Sequence, residues 1–144
     1  MANYPQISYD GTDTELYKTN LYGGTDADLD NTTPVDDTDG YTSTIDLTAK
    51  SGINIDFKFT ASGSTDMLIL KMFRSRSGSW DNDEILVQEI EVANDGSEDI
   101  KSIVIDALQS GAGYYRFSMK SEGGTDTFDI DVEGRYWRFQ IATS

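Results

Sequence analysis

Strict alternation of apolar and polar residues is the feature that most constrains the fold of this chain. Residues 53–59 read Ile-Asn-Ile-Asp-Phe-Lys-Phe, and residues 128–133 read Phe-Asp-Ile-Asp-Val-Glu. Successive side chains of a β-strand point to opposite faces of the sheet, so a period of two puts the apolar side chains on one face. Both segments are therefore predicted to be strands with one face in a core and one acidic face in solvent.

Other segments of the chain fit the same interpretation, and none combines helical spacing with an N-terminal cap. The remaining predicted strands are residues 44–48, 67–73, 85–92, 100–105, 114–120 and 135–141. Gly, Asn, Asp and Ser separate them at intervals of roughly ten residues, as turns in antiparallel proteins require. The sequence predicts an all-β protein, an antiparallel β-sandwich of about eight strands with a jelly-roll as the first choice of topology.

The length of the chain sets its domain organisation. Its 144 residues, 37% of them hydrophobic, are enough for one well-packed domain. We predict a β-sandwich domain at residues 41–144, preceded by an N-terminal arm or extended loop segment at residues 1–40. The arm has too many tyrosines for a solvated linker. It either lies over its own sandwich and adds a strand or two, which is the simpler alternative, or packs on a neighbouring subunit.

The charge balance excludes several classes of function. The chain has 26 acidic and 11 basic residues, a formal charge of -15, and neither histidine nor cysteine. Such a chain repels phosphate backbones and anionic lipids, so we predict neither a nucleic-acid nor a membrane partner. Serine–histidine and cysteine–histidine catalytic sites are excluded by composition, and we expect a protein that is not an enzyme. The opening MANYPQISYDG predicts no signal peptide.

Alternating carboxylates make residues 26–37 the best candidate for a metal site. Carboxylate oxygens are the ligands that calcium prefers, and the candidate ligands are Asp26, Asp28, Asp30 and Asp37. The match to a calcium-binding loop is partial, since Asn31 stands where that loop needs a glycine. A solvated acidic loop is the favoured alternative, and residues 81–84 are a weaker candidate of the same kind. We predict no cofactor other than calcium at this loop.

Arginine and aromatic side chains supply the candidates for a protein interface, because both residue types are enriched at such interfaces. These candidates are Arg74, Arg76, Trp80, Arg135, Tyr136 and Arg138. Trp80 is expected at a loop tip, where it either marks a contact surface or folds back over the sandwich edge. Tyr136 is expected on the polar face of its strand, and Trp137, which alternates with Phe139 and Ile141, in the core.

Three strand sequences carry resemblances to known groups of proteins. Gly113-Tyr114-Tyr115-Arg116-Phe117 follows Asp66-Met67-Leu68-Ile69-Leu70 and precedes Phe128-Asp129-Ile130-Asp131-Val132. Over residues 41–133 this pattern resembles the jelly-roll domain at the C-terminal ends of secreted bacterial peptidases. The whole chain is similar in composition to virion proteins of tailed bacteriophages, which are often free of cysteine and rich in Thr, Gly, Asp and Tyr.

The virion resemblance implies a structural protein of a phage particle, a capsid decoration or accessory subunit that binds a protein lattice. Its partners would be other virion proteins, in a homo-oligomer or a capsid lattice, and assembly would take place in the host cytoplasm. Binding would bury the aromatic and arginine anchors while the acidic outer surface keeps particles apart. The alternative is a carbohydrate-binding or calcium-stabilised adhesion module.

Overall fold

The computed structural model describes residues 3–18, 41–121, 126 and 128–143. In this part of the chain, strands dominate and the two helices are single turns of four residues, α1 (Trp80–Asp83) and α2 (Ala107–Ser110). The strands are β1 (Asn3–Tyr9), β2 (Thr14–Lys18), β3 (Ile45–Asp46), β4 (Gly52–Ala61), β5 (Leu68–Ser75), β6 (Ile85–Val92), β7 (Glu98–Asp106), β8 (Tyr114–Ser121) and β9 (Phe128–Thr143).

The strands form two antiparallel sheets that pack face to face. The β9 sheet has the order β1-β9-β4-β7, with β2 also paired to β9, and the β8 sheet has the order β3-β8-β5-β6. Taken from β2 onward, the orders β2-β9-β4-β7 and β3-β8-β5-β6 are those of a jelly-roll, in which eight strands form two Greek keys. The predicted fold class, an antiparallel jelly-roll sandwich, is confirmed.

The core lies between the sheets and consists of alternate residues from the central strands. On β4 these are the apolar positions of the period-two segment, and Phe57 and Phe59 are fully buried. Phe57 meets Phe117 of β8 edge to face, with ring centroids 5.0 Å apart, and Phe59 lies 5.8 Å from Phe128. Edge-to-face pairs of this kind stabilise a core beyond the burial of their area.

Strand β9 differs from the prediction of two separate strands in this region. Residues 128–143 form one strand of 16 residues that continues through Gly134. A Cβ atom at this glycine would lie 2.6 Å from Cδ1 of Ile53, so the missing side chain makes room for the core and does not mark a turn. Because the alternation runs unbroken through Gly134, the side chains of the second half take the opposite faces to those predicted.

The reversed alternation corrects the placement of two aromatic residues. Tyr136 packs against the core, whereas we expected it on the polar face. Trp137, which we expected in the core, is 6% exposed on the outer face of the β9 sheet. There it covers Gly52, where a Cβ atom would lie 2.2 Å from Cζ2 of the indole. Trp137 is therefore buried against the backbone of the sheet and not between the sheets.

The first strands of the chain belong to the β9 sheet. Residues 3–9 of β1 pair with residues 137–143 of β9, and β2 pairs with residues 131–134. Leu16 of β2 is buried in the core. This pairing matches the simpler alternative for the N-terminal segment, while the domain boundary at residue 40 stays a prediction. Neither of the short helices described is long or apolar enough to cross a membrane.

Candidate functional site

Trp80 packs against an arginine of the β8 sheet. The guanidinium carbon of Arg116 lies 4.5 Å from the centroid of the Trp80 ring and 3.9 Å from that of Tyr41. Indole Nε1 of Trp80 donates a hydrogen bond to Oγ1 of Thr44 at 3.1 Å, and Arg116 forms an ion pair with Glu84 at 3.3 Å. Cation–π contacts of this kind stabilise by about 0.5–2 kcal/mol. The Trp80 ring therefore packs against the sandwich.

The loop that carries Trp80 is fixed by the carboxylate of Asp83. Oδ1 accepts a hydrogen bond from the Ser75 hydroxyl, and Oδ2 accepts from the backbone N–H groups of Arg76 and Ser77 at 3.1 Å each. These bonds hold the pKa of Asp83 below its ordinary value, and the bond from the Ser75 hydroxyl has the largest effect. With Asp83 bonded here and Glu84 paired to Arg116, two of the acidic residues in the weaker calcium candidate have protein partners.

Acid is expected to loosen this loop. The pKa of Asp83 in the folded protein is lower than its ordinary value of 3.8. The stability that its hydrogen bonds contribute is therefore fully present above pH 3.8, and it is lost as the pH falls through the pKa of the folded state. In a Trp137→Phe variant, where Trp80 is the remaining tryptophan, acidification below pH 3.8 should shift the emission to the red. The Asp83→Asn change in the same background should remove this step. An identical titration in both variants would contradict the assignment.

Arg74 and Arg76, which lie close in sequence, have different surroundings. Nη2 of Arg74 donates to the carbonyl of Ala112, and a Cβ atom at Gly111 would lie 2.9 Å from that same nitrogen. Gly111 has a φ of 100°, which favours glycine. Arg74 therefore connects β5 to the turn before β8, whereas the Arg76 side chain is exposed.

The candidates on β9 are divided between its two faces. Nε of Arg135 donates to Oδ1 of Asp13 at 2.9 Å on the outer face, with both side chains about half exposed. Tyr136 points the other way, and burial raises the pKa of its hydroxyl. Arg138 is exposed. The structure thus distributes the six predicted interface residues over separate parts of the sandwich, and the interface role of each stays a prediction.

Two adjoining depressions form a groove on the outer face of the β9 sheet, which we call the β9-sheet groove. The larger has a volume of about 350 Å³ and the smaller of about 150 Å³. They share Asp56 and Glu133, which pair directly across β4 and β9. The larger is also lined by Tyr9, Asp13, Asn54, Gly134 and Arg135, and the smaller by Lys58, Ile100 and Asp131. Like charges directly opposite destabilise a sheet, so the Asp56–Glu133 pair has a stability cost.

One end of the groove is ordered by hydrogen bonds between side chains. Nε1 of Trp137 donates to Oδ1 of Asn54 at 3.0 Å, and Nδ2 of Asn54 lies 3.5 Å from the Tyr9 hydroxyl. Tyr9 and Trp137 also pair directly across β1 and β9. Tyr9 is 51% exposed, so its ring is held in place yet remains open to solvent.

A second surface feature lies where β6 and β7 form the outer edges of their sheets. Five apolar side chains are exposed there at 42–66%, and we call this surface the apolar edge: Ile85, Leu86, Val87, Val104 and Leu108. The chain runs along β6 and returns along β7, which brings the start of β6 to the same end as the last residues of β7. In the described part of the chain, no strand pairs with the free side of β6.

Two buried carboxylates, those of Asp66 and Asp126, connect the residues before β5 to the residue at position 126 before β9. Oδ2 of Asp126 accepts from the backbone N–H groups of Thr65 and Asp66 at 2.7 and 2.8 Å, and Oδ2 of Asp66 accepts from the Asp126 N–H at 2.7 Å. Nδ2 of Asn94 donates to the carbonyl of Gly63 at 2.6 Å in the same cluster. The role of both carboxylates here is structural.

The main calcium candidate cannot be compared with the fold. Asp26, Asp28, Asp30 and Asp37 lie outside the described residues, so calcium binding there stays a prediction. Across the segments that the structure covers, no group of three acidic side chains is arranged to hold a metal ion.

Solved structures similar to this chain are β-sandwich proteins. No protein-family model matches the sequence, and no curated protein matches it. A chain from naturally occurring empty particles of cowpea mosaic virus has a TM-score of 0.39 and 6% identity, over 72% of this chain and 58% of that one. The carbohydrate-binding module CBM36, solved with calcium and xylotriose, has a TM-score of 0.40 and 12% identity, over 99% of this chain and 100% of the module. A CBM4 module has a TM-score of 0.34 and 8% identity, over 79% of this chain and 92% of that one. Such weak likenesses do not assign a function.

Proposed function

We propose that this protein is a non-enzymatic structural subunit of a virus particle, a decoration or accessory protein that binds the capsid lattice of a tailed bacteriophage. The observation that carries the proposal is the apolar edge. Five large apolar side chains are exposed at this end of the sandwich, and an uncovered edge strand offers backbone donors and acceptors to a partner. In the particle, the lattice protein covers this edge.

The charges around the apolar edge indicate what kind of partner fits. Glu89, two positions after Val87 on β6, is exposed. A second copy of a chain with a formal charge of -15 would be repelled, so a different protein with a basic rim is the better partner. We therefore favour a capsid lattice over a homo-oligomer, with assembly in the host cytoplasm and the virion as the final location.

The surroundings of Trp80 bear on the alternative function, a carbohydrate-binding or calcium-stabilised adhesion module. Of the two alternatives for Trp80, the contact surface would have left its indole face free to stack on a sugar ring. Its ring lies against the guanidinium of Arg116, and its Nε1 is bonded to Thr44. The Trp80 loop therefore gives no support to this alternative.

A charge at the apolar edge is expected to abolish incorporation into particles. The Leu86→Lys variant places an ammonium group in the interface, and loss of a central apolar contact of this kind costs about 2 kcal/mol or more, equivalent to over tenfold in affinity. Particles would be purified on a density gradient from infected cells producing each variant, and the chain counted by quantitative mass spectrometry. Thr12→Lys is the matched control, since it adds the same charge at an exposed loop between β1 and β2, on the opposite side of the β9 sheet from β7.

Wild-type chain and the Thr12→Lys variant should be present at the same fixed number per particle, and Leu86→Lys should be depleted by tenfold or more. Circular dichroism should show the same fold for all three proteins, because the Leu86 side chain is 50% exposed. Absence of the wild-type chain from purified particles, or equal retention of Leu86→Lys, would refute the proposal.

A further inference from the structure

We propose that the β9-sheet groove is a binding site for a neutral carbohydrate chain. The groove lies on the outer face of the β9 sheet and adjoins the apolar edge where Asn54 pairs with Val104. The inference is tested on the isolated chain and does not depend on the proposed function.

The charges of the groove exclude one class of ligand. Four carboxylates line it, those of Asp13, Asp56, Asp131 and Glu133, against two cations, Arg135 and Lys58. Asp13 and Arg135 neutralise each other in an ion pair, and Lys58 lies 3.7 Å from Glu98 outside the groove. The electrostatic potential in the groove is therefore negative, and phosphate, sulfate and uronate groups are repelled.

The hydrogen-bonding groups of the groove suit hydroxyl groups. A hydroxyl both donates and accepts, and it therefore needs acceptors and donors close together. Carboxylate oxygens supply the acceptors, Arg135 and Lys58 supply donors, and the Asn54 amide supplies both.

The Tyr9 ring provides the apolar part of the site. A pyranose ring has an apolar face of C–H groups, which stacks on an aromatic ring, while the phenol hydroxyl keeps a polar partner. Tyr9 is half exposed, and its hydroxyl lies 3.5 Å from Nδ2 of Asn54. At the other end of the groove Ile100 is 63% exposed and offers a second apolar contact.

The dimensions of the groove favour a chain of several sugars over a single one. Its residues on β9 run from Asp131 to Arg135, and Tyr9 pairs with Trp137 two positions further along. Strands rise about 3.3 Å per residue, so the six steps from residue 131 to 137 span roughly 20 Å. Most of the lining side chains stand on β4 and β9, central strands whose positions are fixed by pairing on both sides, so the site is largely preformed.

Tryptophan fluorescence can test the site directly. In a Trp80→Phe background Trp137 is the sole remaining tryptophan, and its indole is bonded to Asn54 of the groove. This protein would be titrated with cellohexaose, xylohexaose and mannohexaose, and separately with hexalysine. We expect a saturable change in emission with at least one of the neutral hexasaccharides. Adding Tyr9→Ala should weaken the binding of that hexasaccharide by about tenfold or more, because the aromatic ring on which the sugar stacks is lost.

Tyr114→Ala is the matched control, because Tyr114 lies on β8, away from the groove. It should leave the affinity unchanged, and circular dichroism should be the same for all variants. Failure of all three hexasaccharides to bind, equal affinity in the Tyr9→Ala variant, or binding of hexalysine alone would overturn the inference. Each of these results is independent of whether the chain is found in particles.

Discussion

Replacing Phe117 by alanine is expected to lower the free energy of unfolding by about 3–5 kcal/mol. Phe117 is fully buried on β8, and its ring meets that of Phe57 from the opposite sheet with centroids 5.0 Å apart. Truncation removes the buried ring and leaves a cavity between the two sheets. The strands on either side are fixed by pairing within their own sheets, so they cannot easily move to fill it. Since domains of this size are stable by about 5–15 kcal/mol, the loss is a large part of the total.

Urea unfolding followed by circular dichroism measures this effect. Phe139→Ala is the matched control, because that side chain is 44% exposed and its loss should change the free energy of unfolding by under about 1 kcal/mol. Similar losses in the two variants would show that the core does not lie between β4 and β8.

Replacing Asp126 by alanine is expected to lower the free energy of unfolding by about 2–4 kcal/mol. The carboxylate accepts two backbone hydrogen bonds, from Thr65 and Asp66, at a buried position. Removing it leaves the buried N–H group of Asp66 and the part-buried one of Thr65 without an acceptor, which costs about 1–3 kcal/mol for a buried group. The residues just before β5 also lose their connection to Asp126.

The same urea measurement applies, with Asp95→Ala as the control. The Asp95 carboxylate also accepts a backbone N–H bond, from Ser97, but it does so within its own exposed turn. Its loss should cost under about 1 kcal/mol. If Asp126→Ala were no more harmful than Asp95→Ala, the proposed link between Asp126 and the residues before β5 would be wrong.

The sequence was sufficient to predict the fold class, because alternation is strongest on the strands that build the core. In β4 every second residue from Ile53 to Phe59 is buried, as the period of two requires. The main error of the prediction from sequence was a break between two strands at Gly134. A glycine within an alternating segment suggests a break, yet here it relieves crowding against Ile53 and leaves β9 continuous.

The two surface features could not be predicted from local sequence. In the sequence, Leu86 is an ordinary apolar residue of a predicted strand. Only the strand order shows that β6 is an edge strand, on which side chains such as Leu86 stay exposed. Asp56 and Glu133 are 77 positions apart, and their place in one groove follows from the register of β4 and β9. The alternation did indicate that both strands have an acidic outer face.

Arg116 was also missed as a functional neighbour of Trp80. In sequence it is a polar residue between two aromatic residues of a predicted strand, and its contact with the Trp80 loop depends on tertiary packing. An arginine at an outward strand position beside aromatic residues is a usable signal for such stacking.

Hydrogen exchange on particles that carry this chain tests the proposed docking at the apolar edge most directly. The backbone N–H groups of β6 that point away from β5 should exchange quickly in the free protein and slowly once the lattice covers them. Residues 85–87 of β6 and residues 104–108, at the end of β7 and the start of α2, should show the largest gain in protection. If these amides exchanged equally fast in the free and particle-bound chain while another surface became protected, the apolar edge would not be the docking site.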